Sequence, residues 1–158
     1  MIFISHRGNM DGPNPALENS PDYIDKAILA GLTVEVDLRL IGNQYFLGHD
    51  YPTYAVDFEW LNHRRNYLLL HLKDIYALHT MIPQFHYFCH VNDPYTFTSQ
   101  GRVWLHNLDM MPDDRTIVPL MTKDLIRSYT LKKHVYAICS DYRVDEDGNV
   151  YNVPRGTT

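Results

Sequence analysis

His6, Glu35, Asp37 and His49 are the side chains of this sequence best suited to acid–base and metal chemistry. Glu35 and Asp37 stand two apart in an apolar run, so in a strand both carboxylates project from one face while Val34, Val36 and Leu38 project from the other. Two adjacent carboxylates repel unless a cation lies between them. A hard divalent ion such as Mg²⁺ or Ca²⁺, which prefers oxygen ligands, resolves the conflict most simply. The competing reading is a polar pair on an exposed edge strand, or one neutralised by Arg39. His71 and Lys73 repeat the spacing on a later run, where Lys73 is suited to an anionic phosphate oxygen. His6 and His49 are the candidate proton carriers. Imidazole titrates near neutrality, so one can accept a proton while the other supplies one, each role contributing about 10²- to 10⁴-fold. Gly8 and Gly48 beside them permit tight turns and close approach of a substrate. Nine histidines in 158 residues make a structural or surface role the standing alternative for each one.

The elements that must position these groups are short. Apolar runs at residues 2–5, 33–38, 67–72, 86–91, 102–105, 116–120 and 135–139 alternate with helical or turn-rich segments, which argues for an α/β protein with a mainly parallel sheet. A helix is expected after Ser20, with Pro21 at its first position, Asp22 at the positive end of its dipole and Gly31 as its stop. Thr122 caps a second, with Leu125, Ile126 and Tyr129 facing inward, and a third is expected around Ile75, Leu78 and Ile82. A hairpin within 44–47 supplies an extra short strand. Polar residues follow nearly every run: His6-Arg7-Gly8, then His71 and Lys73, His90 with Asn92 and Asp93, His106 with Asn107, and Ser140 with Asp141. In parallel α/β folds the carboxyl ends of the strands share one face, so these groups should meet in one pocket. His90, His106 and Asp141 are pocket candidates on that logic. His63, His79 and His134 read as surface, and Trp60 and Trp104 as core.

The composition, 45% hydrophobic and 21% charged, suits one folded domain over residues 1–158, with a loose tail from about 147. A net charge of -5, with basic residues only in pairs such as Arg64-Arg65, argues against a nucleic-acid groove and leaves room for a small anionic substrate. No stretch approaches the roughly 20 apolar residues of a membrane helix. The opening residues lack a basic segment and a long apolar one, so a cytoplasmic protein is expected. Cys89 and Cys139 lie in apolar runs without metal-type spacing and read as buried thiols.

Four segments in register, His6-Arg7-Gly8, Glu18-Asn19, Glu35-Val36-Asp37 and Gly48-His49-Asp50, resemble the glycerophosphodiester phosphodiesterase family. The resemblance is close over residues 2–50 and extends through Lys73 to Ile138-Cys139-Ser140-Asp141-Tyr142, which looks like that family's last-strand motif. It implies a compact or reduced (β/α) barrel of the TIM type that cleaves a small glycerophosphodiester-like substrate with a bound divalent cation. It further implies that His6 and His49 are the acid/base pair, Arg7 binds phosphoryl oxygens, Glu35 and Asp37 ligate the metal, Glu18 supports the site and Asn19 fixes its loop. The family's usual course has a neighbouring hydroxyl attack phosphorus in line, giving a cyclic phosphate that water then opens.

This sequence departs from the family in three respects. His71 stands where the family has a glutamate, two residues before its lysine. If the His71 imidazole is the third ligand, Mn²⁺ or Zn²⁺ gains over Mg²⁺ and Ca²⁺. Only 21 residues separate His49 from His71, too few for the family's inserted cap, so an open pocket is expected. The chain's 158 residues also fall short of the about 250 of an ordinary barrel. Two other readings stand beside the hydrolase. One is a phospholipase D-like lyase that stops at the cyclic phosphate, and the other is a module that binds phosphorylated ligands without turnover.

Overall fold

The computed structural model describes residues 1–81, 83–130, 134–144 and 149–150. In chain order it places β1 (Ile2–His6), α1 (Pro21–Leu29), β2 (Thr33–Ile41), β3 (Gln44–Leu47), β4 (Tyr54–Val56), α2 (Phe58–Arg64) and β5 (Leu68–Leu72). There follow α3 (Ile75–Thr80), β6 (His86–Phe88), β7 (Tyr95–Phe97), β8 (Val103–Leu105), β9 (Thr116–Pro119), α4 (Lys123–Thr130) and β10 (Ala137–Ser140). Ile82 and most of the tail expected from 147 lie outside the described residues.

The reduced (β/α) barrel with mainly parallel strands is not what forms. The ten strands make one mixed sheet, curled into a half-barrel, with only four short helices among the described residues. β6, β5, β2, β1, β10, β9 and β8 run parallel to their neighbours, whereas β3, β4 and β7 join by antiparallel pairing. The physical reason lies in the connections. A parallel crossover needs about a dozen residues or more, but Gly42 and Asn43 alone link β2 to β3, with Gly42 at φ 60 in the tight reversal. Gly101 at φ 73 similarly turns β7 back onto β8. Among the described residues β6 pairs with β5 alone; on its other side Ser99 takes over, its N–H donating to Tyr87 O at 2.8 Å and its hydroxyl to Phe85 O at 2.9 Å.

Alternation along the strands separates the core into layers. Leu69, Ile117 and Ala137 join Ile4, Phe88, Trp104 and Cys139 in a cluster on the concave face. Their sequence neighbours Leu68 and Leu70 pack with Val34, Val36, Leu38 and the α1 residues Ile24 and Ala27 on the convex face, while Val118 and Ile138 pack there with Ile126 of α4. Two residues beyond the concave-face positions Ile4, Leu69, Phe88, Trp104 and Cys139 come His6, His71, His90, His106 and Asp141. Each strand therefore carries an apolar side chain into the floor and then a polar one to the carboxyl end.

At α1 the boundaries fall as expected, since it begins at Pro21 after Ser20 and stops at Ala30, with Gly31 at φ 83, but the Ser20 side chain makes no capping hydrogen bond. Thr122 Oγ1 accepts the Leu125 N–H at 3.3 Å at the start of α4, and Ile126 and Tyr129 are buried; Leu125, expected inward, is exposed. In α3 the buried residue is Ala77 and Ile75 is exposed. Its cap is Asp74, whose Oδ1 accepts from Ala77 N at 2.8 Å while Oδ2 accepts from Leu40 N at 3.0 Å, which fastens the helix to β2. No helix among the described residues is long and apolar enough to cross a membrane.

Candidate functional site

β2 is a central strand, and Glu35 and Asp37 are 2% and 0% exposed, so the edge-strand reading of this pair does not hold. Arg39 does not neutralise them either. It reaches the turn after β3, donating from Nε to Gly48 O at 3.2 Å and from Nη2 to His49 O at 2.6 Å. Three alternate positions on the cleft side of one strand thus carry two carboxylates and the side chain that holds the His49 loop.

Asp37 sits in a dense cationic shell. Arg7 Nε lies 3.0 Å and Asn19 Nδ2 2.9 Å from its Oδ2, and His71 Nδ1 lies 3.2 Å and Lys73 Nζ 3.7 Å from its Oδ1. Burial alone would raise the Asp37 pKa, but the His71 hydrogen bond, Arg7 and Asn19 outweigh it and hold the carboxyl well below the ordinary range. The loop that delivers Arg7 and Asn19 is fixed by backbone. Arg7 (φ 54) and Asn19 (φ 62) both occupy the left-handed region, Arg7 N–H donates to Glu35 O at 2.8 Å, and Asn19 N–H donates to Arg7 O at 3.0 Å. A side chain at Gly8, φ 92, would collide with the Tyr23 ring, so the turn admits only glycine there. Glu18 accepts from Arg7 Nη1 at 3.1 Å and from Asn9 Nδ2 at 2.9 Å.

Both candidate proton carriers are backed by a carboxylate. His6 Nδ1–H donates to Asp141 Oδ1 at 2.7 Å, which leaves Nε2 directed inward, 3.9 Å from Glu35 Oε2. His49 Nδ1–H donates to Asp50 Oδ1 at 2.7 Å in the same manner. Burial disfavours charge on His6, yet the Asp141 hydrogen bond and the Glu35 charge raise its pKa above the ordinary value. Asp141, which burial would raise, is lowered by the same hydrogen bond. Asn9, fully buried, donates to Asp141 Oδ1 at 2.8 Å as well as to Glu18, so one amide couples the supports of His6 and Arg7.

Glu35, Asp37 and His71 bring one ligand atom each to within 4.8 Å of one another. His71 Nε2–H donates to His90 O at 3.1 Å, which turns Nδ1 toward the carboxylates, 3.6 Å from Glu35 Oε1. That backbone hydrogen bond is the arrangement that fixes a metal-ligating histidine's tautomer. With His71 Nδ1 unprotonated, Glu35 Oε2 and Asp37 Oδ1 are both buried without a hydrogen-bond donor among the described residues. Orphaned anionic oxygens beside an oriented imidazole fit a divalent cation. Without a cation, a proton serves: burial lowers the His71 pKa, but its hydrogen bonds to Asp37 and Glu35 push it up to about 9.

The candidate residues surround one cleft of about 860 Å³ at the carboxyl ends of the strands. His6, Arg7, Glu35, His49, His71, Lys73, His90 and His106 line it. Asp37, Asn19, Glu18 and Asp141 stand behind these and hold them. Trp104, expected as core, is 6% exposed and serves both roles: it stacks on Phe88 at 4.5 Å between ring centres and forms part of the cleft wall. Cys89 departs from the expectation of a buried thiol, since it is exposed at the cleft. Cys139 is buried, and burial holds its thiol well above the usual range. The sequence reading did not identify Asn9, Asp50 or the loop-holding role of Arg39. The signal for Asp50 was its place beside His49; for Asn9 it was an amide two residues after Arg7 in a glycine turn.

The chain matches no protein-family model, no curated protein and no solved structure.

Proposed function

We propose that this protein is a metal-dependent phosphodiesterase acting on a small glycerophosphodiester-like substrate. The observation that carries the reading is the pair of buried oxygens on Glu35 and Asp37 that have no donor when the facing His71 Nδ1 is unprotonated, in the cleft that also receives two carboxylate-backed histidines. Glu35, Asp37 and His71 would hold the cation; Mg²⁺ or Ca²⁺ suits the carboxylates, and the imidazole favours Mn²⁺ or Zn²⁺. Bound there, a divalent ion supplies Lewis-acid stabilisation of charge developing on phosphoryl oxygens.

The chain's own residues supply the remainder. Arg7 and Lys73 line the cleft beside the acidic pair and are placed to bind the anionic diester. His6, with Nδ1–H held by Asp141, has Nε2 free to accept or deliver a proton at the substrate, and His49, held by Asp50, is the complementary carrier. One takes the proton of the attacking hydroxyl while the other protonates the departing alcohol. The lyase and hydrolase readings share every one of these residues and differ only in whether water opens a cyclic phosphate. Two free thiols suit a reducing compartment, and we take the cytoplasm as the setting.

The deciding experiment is an assay with bis(p-nitrophenyl) phosphate and with glycerophosphodiesters, after chelation and with Mg²⁺, Ca²⁺, Mn²⁺ or Zn²⁺ restored, beside His6→Ala and Glu35→Ala. Metal-restored turnover lost in both variants is the expected result, and phosphorus NMR of the products separates cyclic from opened phosphate. Retained ligand binding with no turnover under any ion would replace the enzyme with a phosphate-binding module.

A further inference from the structure

Opposite the carboxylates, His90 and His106 face one another across the end of the concave face. Their ring centres are 4.7 Å apart and the planes are inclined by 43°. Neither ring belongs to the Glu35, Asp37 and His71 group. His90 Nε2–H donates to Asp93 O at 2.7 Å, so its lone pair is on Nδ1, the tautomer that a backbone acceptor fixes in metal-binding histidines. Among the described residues the His106 ring has no hydrogen-bond partner, and it is exposed at the cleft while His90 is half-buried. Two imidazoles sharing one ion at about 2.0–2.1 Å place their ring centres roughly 5 Å apart. The observed separation already meets that condition, and the inclination is not that of a flat stack.

We propose a second metal site, formed by His90 Nδ1 and the His106 imidazole, that takes a borderline transition ion of the Zn²⁺ class with water completing its coordination. The ligand chemistry sets it apart from the first site. Nitrogen donors without a carboxylate suit Zn²⁺, Ni²⁺ or Cu²⁺ and give Mg²⁺ and Ca²⁺ nothing to bind. It does not depend on the phosphodiesterase reading, since it concerns binding by side chains just beyond the carboxyl ends of β6 and β8 rather than turnover.

Calorimetric titration of Zn²⁺ into the chelator-treated full chain, with Mg²⁺ in excess, tests it, alongside His90→Ala, His106→Ala and Asp37→Asn. The expected result is a Zn²⁺-binding event that survives Asp37→Asn, weakens at least about tenfold in each histidine variant, and leaves Mg²⁺ binding in those variants unchanged. Circular dichroism melts confirm that His106→Ala, at an exposed position, keeps its fold. Absence of that event in the wild-type protein, its persistence in both histidine variants, or its loss in Asp37→Asn alone would overturn the site.

Discussion

On one side of the cleft, the five-residue β1 and nine-residue β2 present His6, Glu35 and Asp37 within a web of ion pairs; on the other, the three-residue β6 and β8 lead to His90 and His106, held by one backbone hydrogen bond and a ring contact. The two sides also titrate in opposite directions. Burial disfavours charge on His6 and His71, but neighbouring carboxylates raise both, whereas burial lowers His90; away from the cleft, at the amino end of β6, burial lowers His86 to about 4, with Arg102 adding to it. A wall rich in buried carboxylates gathers protons and cations; on the opposite wall burial favours the neutral form of His90. The difference assigns charge handling to β1 and β2 and leaves nitrogen donors without carboxylate partners on the opposite wall.

The comparison breaks first at catalysis. His6→Ala and His49→Ala should each lower kcat on a diester substrate by about 10²- to 10⁴-fold, while His106→Ala changes it far less; steady-state rates under the preferred ion decide it. A similar loss in all three would mean that the walls share the proton transfers. Stability comes next. Asp37→Ala removes the buried carboxylate that pairs with Arg7, His71 and Lys73 and should cost about 3–5 kcal/mol in urea denaturation, against about 0.5 kcal/mol or less for exposed His106→Ala. If the two variants unfold at the same urea concentration, the ion-pair web is not what stabilises β2.

Metal linkage is smaller. A saturating divalent ion at about 100 times its Kd should stabilise the wild-type protein by about 2.7 kcal/mol, and Glu35→Gln should abolish the thermal shift. The last contrast is in pH. The folded-state pKa of His86 lies near 4, below the unfolded value, so the unfolded chain binds more protons between about 6.5 and about 4, and stability falls as the solution is acidified through that window. His71, raised to about 9, has the opposite sign: its contribution is complete below about pH 6.5 and is lost as pH climbs through 9. Melting curves of chelated protein at pH 5, 7 and 9.5, with His86→Asn for comparison, separate the two; the variant should flatten the acid side alone.

The site was more legible than the fold. Glu35 and Asp37 could be placed on one face because a period of two needs no tertiary information, and the polar residues after each run marked the cleft because a shared carboxyl end is a property of parallel neighbours. The half-barrel was missed because its cause lies in short, weakly patterned segments. β7 is three residues, Tyr95–Phe97, after Asn92-Asp93-Pro94, and β4 is Tyr54–Val56 after a loop; neither is long enough to show alternation. α2 went unrecognised although Asp57 accepts from Trp60 N at 2.7 Å, since aromatic Phe58 and Trp60 suit a strand equally well. The support given by Asn9 required knowing that residues 132 positions apart, Asn9 and Asp141, lie side by side.

Arg39, two positions beyond Asp37, makes β2 a ruler. Its alternate side chains, Glu35, Asp37 and Arg39, set the carboxylates and the His49 loop, while Val34, Val36 and Leu38 between them build the convex core. A slip of one residue would exchange the two sets entirely, burying three charges in the core and turning three aliphatic side chains into the cleft. No partly correct register exists, so a molecule that has paired this strand at all has assembled its cleft. Divalent-ion binding should consequently count folded molecules, and a refolding yield can be read by titration.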